Sequence, residues 1–437
     1  MPNPYLPSWK MIPIGKPRVF GNRVYIYGMR DCFRKDQIVD LNVWSARDDN
    51  LNHWDCHGSV FRFKNDYDQE NDMLTLGDLY ADVIEHRGRY YLYVNYGSKK
   101  GYLASSDRPE GPFHIIKEFK EAESISKGLK YGFYFDPGLL IEDEKVYIYW
   151  GHQNSYMAEL DSNNMYEMVQ GKRIKDIISP DCPHKFLRAC SPQKIGDLYY
   201  IIYTPKDDSR ISYATSKQAT GPFHYRGVII DNGIDYMGGN NRGSICNIKG
   251  QWYLFYQRMT NSTTMSYKAC VEPIEFLPDG SIKQVEMTSL GFEHTLSPYQ
   301  ISLAENACVL KGGCFIRESN ISTRVITKIT EGCIIGYKYF DFGNEDKNKV
   351  MKFQVNILGL NQQQGNIRIF IDDYYDTSKE IGNCLVGPED GKYEAVVKSV
   401  SGRHSIFMLI EERKEYPRLK EFQPRNLFEL VSFKFSK

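Results

Sequence analysis

Five short stretches of this chain carry side chains that hold or move protons, and each stands just before an aromatic-rich strand. They are Lys16 in GKPRVF, Asp82 in LYADVIE, Asp136 in YFDPGLLIE, Arg188 in FLRACSPQK and Arg242 in NNRGSICNI. A carboxylate such as Asp136 or Asp82 exchanges a proton near neutral pH once its surroundings tune it. A guanidinium does not, because it keeps its proton over any useful pH range. A lysine becomes a base only where burial or a neighbouring cation lowers its pKa by several units, and a nearby carboxylate opposes that shift. Cations gathered beside a carboxylate either neutralise it in a structural network or bind an anionic ligand. Asp31 in GMRDCF and Asp82 lie near the first and second channel strands, as displaced carboxylates or as ordinary surface or turn residues.

The elements that must gather these stretches are visible as a repeat. A turn with Gly, Asn, Asp or Lys leads into an aromatic-rich strand at GNRVYIYG (21–28), RGRYYLYV (87–94), DEKVYIYWG (143–151), IGDLYYIIYT (195–204) and KGQWYLFYQR (249–258). Their starts fall roughly 50 to 66 residues apart, a period that marks a repeat architecture. Further strands follow with GPF-type turns, as in YLASSDRPEGPFH (102–114) and ISYATSKQATGPFH (211–224). Each unit therefore holds about four short strands, which is one propeller blade. Units this short cannot each bury a core of their own, so a row of separate sandwiches fits less well. In a propeller the innermost strand of every blade lines the central channel, and the five polar stretches converge at one end of its axis.

Composition agrees with an all-β chain. Thirty-two Tyr and 23 Phe suit a pleated surface, and 35 Gly with 19 Pro supply its turns. The 437 residues suit a larger and a smaller domain. From about residue 300 the pattern changes to alternating strands such as KVMKFQVNILG, GNIRIFIDD and LFELVSFKFS, which indicate an antiparallel sandwich. The expected organisation is a five-bladed β-propeller over 1–298, followed by a jelly-roll-like β-sandwich over 299–437. A formal net charge of zero and the lack of a basic stripe give no reason to expect nucleic acid or a membrane surface as partner. The opening MPNPYLPSWKMIPIG has no charged-then-apolar signal pattern, so a soluble, cytoplasmic protein is expected. The ten Cys are scattered with no CxxC pair and read as reduced core residues, not as a disulfide framework or zinc site.

These motifs resemble the family 43 glycoside hydrolases, five-bladed propellers acting on arabinose- and xylose-containing polysaccharides. NPYLPSWKMIPIGKPRVFGNRVYIYG looks like that family's opening, YFDPGLLIEDEKVYIYWG like its third blade, and GGNNRGSICNIKGQWYLFYQR with CVEPIEFLPDGSIKQVEMTSLG like its fifth blade and exit. The C-terminal part is similar to a family 6 type carbohydrate-binding module in GCIIGYKYFDF and LFELVSFKF. The resemblance implies an inverting site, with one carboxylate activating water, a carboxylic acid protonating the leaving oxygen and a third tuning that acid. It places Asp136 at the tuning position. It also places Lys16 where the base belongs and Arg188 where the acid belongs, and neither is a carboxylate. Arg242 and Gln257 stand where relatives carry His residues that help hold a metal or solvent on the axis. No cofactor is therefore expected, and a calcium ion would lack its usual neighbours. Glu272 in CVEPIEF matches a residue common in these relatives, with a structural role at a blade edge. Trp44 and Trp150 are candidates for sugar-stacking platforms, since a pyranose face packs on an indole, or for core.

Three readings stay open: a glycosidase-like enzyme with replaced or relocated acid–base groups, a non-catalytic carbohydrate-binding propeller, and a scaffold. All but the scaffold name an oligosaccharide or polysaccharide as partner.

Overall fold

The computed structural model describes residues 1–9, 16–29, 38–64, 79–96, 100–119, 136–206, 209–236, 241–344, 350–360, 364–413 and 426–437. Five antiparallel sheets come first in the chain. Blade one comprises Arg18–Phe20, Arg23–Met29, Ile38–Arg47 and Asn50–Lys64. Blade two comprises Leu79–His86, Arg89–Tyr96, Lys100–Ser106 and His114–Phe119. Blade three comprises Gly138–Glu142, Lys145–Trp150, Tyr156–Leu160 and Met168–Lys175. Blade four comprises Phe186–Ile195, Leu198–Pro205, Arg210–Ser216 and His224–Asp231, and blade five Gly243–Ile248, Gln251–Thr260 and Thr263–Ile274. The first strands neighbour one another all round the ring, one–two, two–three, three–four, four–five and five–one, so they line the axis.

The aromatic repeat has a packing cause. Each second strand is squeezed between two blades, and alternate residues point to opposite faces. Tyr147 and Tyr149 face blade four, while Val146, Ile148 and Trp150 face blade two. Tyr25 and Tyr27 likewise face blade two, and Val24 and Ile26 face blade five. Rings and branched apolar side chains together fill the wedges on both sides of these strands. The hairpins into these strands include Arg87-Gly88 and Lys249-Gly250, with φ of +51° and +77° and of +51° and +90°. Such primed turns carry the twist that the flanking strands need.

Blade five has three strands where four were expected, because the start of the chain completes it. Tyr5 N donates to Ala269 O at 3.0 Å, and the Asn3 side chain both accepts from Val271 N and donates to Val271 O, at 2.9 Å each. Residues 3–5 thus run antiparallel to the third strand and close the ring.

Two further sheets face each other in the C-terminal part. One orders Phe315–Glu318, Arg324–Thr327, Phe428–Ser436, Met351–Gly359 and Gly391–Val397, with Ser302–Leu303 also paired to Phe428–Ser436. The other orders Val309–Lys311, Ile334–Asp341, Arg403–Glu412, Gly365–Ile371 and Glu380–Val386. Met351–Gly359 alternates buried and more exposed residues, as a strand with one face on a core must. The sandwich core is continuous with that between blades four and five. Buried Arg258 crosses the junction and donates to Ala307 O at 2.9 Å and Glu305 O at 2.8 Å.

Candidate functional site at the channel mouth

Four of the singled-out residues sit at or just before the start of a first strand, at the same end of the channel. Lys16 precedes Arg18–Phe20, Asp136 precedes Gly138–Glu142, Arg188 lies near the start of Phe186–Ile195, and Arg242 precedes Gly243–Ile248. Local backbone aims them. Asp136 has φ of +52°, a left-handed conformation that Asp tolerates better than most residues, and it turns the chain through Pro137 into the strand. Gly138 then passes so close to blade four that a Cβ on it would lie 2.1 Å from Cys190 O. Arg188 sits where the register slips between Phe186 and Ser191, and the next residue, Ala189, holds φ of +67°. A bulge of this kind re-aims a side chain out of the regular ladder.

The charges make two groups. Lys16 is 7% exposed; its Nζ donates to Pro137 O and stands 3.9 Å from Asp136 Oδ1. Asp136 is 6% exposed, and its Oδ2 is buried with no hydrogen-bond partner among the described residues. Burial pushes the neighbouring Cys190 thiol well above its ordinary range; Lys16 opposes this and Asp136 adds to it. Cys190 therefore stays protonated and is no nucleophile. In the second group, Arg188 Nη1 and Arg242 Nη2 both donate to Tyr80 Oη, at 3.2 and 2.9 Å. The Arg242 guanidinium carbon also lies 4.4 Å from the centre of the Tyr80 ring. Tyr80 is thus the hub of the site. The sequence reading passed over it, although its place two residues before Asp82 on a channel strand was a usable signal.

Asp82 is not a displaced catalytic carboxylate. Arg18 grips it with Nε at 2.8 Å and Nη2 at 2.5 Å, and Val83 N and Leu139 N each donate to it at 2.9 Å. Both oxygens are taken, and the pair binds the first strands of blades one, two and three together. Trp44 and Trp150 are not sugar platforms either. Trp44 is 8% exposed and packs in the wedge between blades one and five with Tyr5 and Trp54. Trp150 is 1% exposed and stacks on Tyr156 at 5.6 Å. The inter-blade wedges absorbed both rings. Asp31 lies outside the described residues. Glu272 sits where the chain start meets blade five and accepts from Asn3 Nδ2, Tyr256 Oη, Thr288 N and Thr288 Oγ1.

A calcium ion takes six to eight oxygen ligands. Arg242 contributes only donors, and no cluster of three or more His, Cys, Asp or Glu able to hold a metal occurs among the described residues.

The family model for glycosyl hydrolases family 43 matches residues 32–282, more than half of the chain. The chain belongs to that family. The matched span includes Tyr80, Asp136, Arg188 and Arg242 and begins after Lys16. Among characterised relatives, a xylosidase/arabinosidase of Thermoclostridium stercorarium is 39% identical over 324 residues, covering 66% of this chain and 67% of that protein. An arabinoxylan arabinofuranohydrolase of Paenibacillus polymyxa is 24% identical over 90% of this chain and 69% of its own length. A crystal structure of a family 43 arabinoxylan arabinofuranohydrolase from Bacillus subtilis, in complex with cellotetraose, superposes with a TM-score of 0.53 at 20% identity. That alignment covers all of this chain and 97% of the other, so propeller and sandwich occur together in both folds.

Proposed function

We propose that this family 43 protein binds an arabinose- or xylose-type plant oligosaccharide at the channel mouth and does not hydrolyse it by the two-carboxylate route. The observation carrying this reading is the state of the carboxylates. An inverting glycosidase needs two, separated enough to admit a water molecule. The resemblance assigns Lys16 and Arg188 to the base and acid positions, and among the described channel residues Asp82 is locked by Arg18 while Asp136 keeps one buried oxygen without a hydrogen-bond partner. A guanidinium cannot protonate a leaving oxygen, and the Lys16 ammonium donates to Pro137 O and stands 3.9 Å from Asp136 Oδ1.

Binding remains well served. A buried acceptor without a donor costs about 1–3 kcal/mol, and a sugar hydroxyl donating to Asp136 Oδ2 would recover it. Lys16, Arg188 and Arg242 supply the complementary donors for hydroxyl and ring oxygens. The named activities of the relatives support the sugar class. Calorimetric titration with xylobiose and with arabinofuranosyl-substituted xylotriose tests the reading. Binding by the wild type that falls at least tenfold in Asp136→Ala is expected; affinity unchanged in that variant would remove Asp136 from the site, and no binding of either sugar would sink the reading.

A further inference from the structure

With Trp44 and Trp150 in the core, the exposed indole is that of Trp9, 54% exposed. Its place in the chain is informative. Residues 3–5 run along the third strand of blade five, from beside Val271 towards Ala269, and so climb towards the strand's start at Thr263. That is the end at which the first strand of the same blade begins, next to Arg242. Trp9 follows four residues after Tyr5 in that direction, towards the end of blade five that carries Arg242. Lys16, the next described residue after Trp9, stands at the inner edge of blade one. Lys16 is seven positions further on, so the two Cα atoms lie at most roughly 25 Å apart, within the span of a short sugar chain.

The backbone leading into the indole is also anchored. Ser8 Oγ donates to Glu305 Oε2 at 2.5 Å, and Ser8 O accepts from Nη2 of Arg324, itself 6% exposed, at 3.2 Å. The residue before Trp9 is therefore fastened to the first elements of the sandwich. A large ring kept exposed on an anchored backbone binds at low entropic cost, because little freedom is left to lose. Its flat apolar face complements the C–H face of a pyranose.

We infer that Trp9 forms an outer subsite, stacking a pyranose unit of an oligosaccharide whose end occupies the channel mouth. This rests on the channel reading above and extends it: the ligand is a chain of several sugar units, not a single sugar, and it runs across the rim between blades five and one. The test compares xylobiose with xylohexaose by calorimetry in wild type, Trp9→Ala and Trp9→Tyr. Xylohexaose affinity should fall roughly tenfold in Trp9→Ala and mostly return in Trp9→Tyr, with xylobiose affinity unchanged. Unchanged xylohexaose affinity, or an equal loss for both sugars, overturns the subsite while leaving the channel site standing. Failure of the wild type to bind either sugar removes the channel site itself, and the subsite with it. A concentration-dependent dimer that Trp9→Ala dissolves, with sugar affinity untouched, assigns the indole to self-association and overturns the inference.

Discussion

Replacing Asp82 separates a structural carboxylate from a catalytic one. Its side chain is fully buried, that of Arg18 is 16% exposed, and the pair makes two charge-assisted bonds. Truncation to Ala strands the guanidinium and leaves Leu139 N without its acceptor. Removing one member of a buried ion pair costs about 3–5 kcal/mol, far more than replacing both with apolar side chains. Asp82→Ala should therefore lose about 3–5 kcal/mol in urea denaturation followed by tryptophan fluorescence. Arg18→Met should lose a comparable amount, and the double variant Arg18→Met/Asp82→Leu much less than the sum of the two. A coupling energy above about 2 kcal/mol is expected from the cycle. Single losses below about 1 kcal/mol that simply add would refute the reasoning and return Asp82 to the list of free carboxylates.

Two further outcomes follow from the packing. Burial raises Glu272 to about 7, against the lowering effect of its hydrogen bonds from Thr288 and Tyr256. Its contribution to stability is therefore fully present below the unfolded value near 4.5 and is lost as pH rises to about 7, a fall of about 3 kcal/mol that Glu272→Gln should abolish. Parallel pH–stability curves for wild type and Glu272→Gln would contradict this. Gly138→Ala would place a methyl 2.1 Å from Cys190 O and 2.5 Å from Pro192 Cδ. The first strands of blades three and four must then part, so thermal denaturation should show a loss of at least about 1–3 kcal/mol, and sugar affinity should drop as Asp136 and Arg188 separate; a fully stable variant would show that the approach is not tight.

The propeller was legible because its cause is local. A strand wedged between two blades must be apolar on both faces, and VYIYW at 146–150 writes that directly into the sequence. The convergence of Lys16, Asp136, Arg188 and Arg242 followed from their shared position before the first strands. Partnerships were not legible, since they depend on which strands meet across the axis. Arg18 lies 64 positions from Asp82 and Tyr80 lies 162 from Arg242, and nothing in either local stretch announces the other. The tryptophans misled for a related reason: an indole in a strand looks the same whether its face meets solvent or a neighbouring blade. The closure of blade five by Asn3 and Tyr5 likewise joins residues more than 260 positions apart.

The most direct test of the central claim is turnover. Purified protein is incubated with aryl β-D-xyloside and aryl α-L-arabinofuranoside, alongside Asp136→Asn and the double variant Lys16→Asp/Arg188→Glu, which puts carboxylates where the family resemblance places base and acid. No release of the aryl group above background is expected from the wild type, with measurable turnover only in the double variant. Steady turnover by the wild type that Asp136→Asn abolishes would contradict the account and show that this channel hydrolyses glycosides with the residues it has.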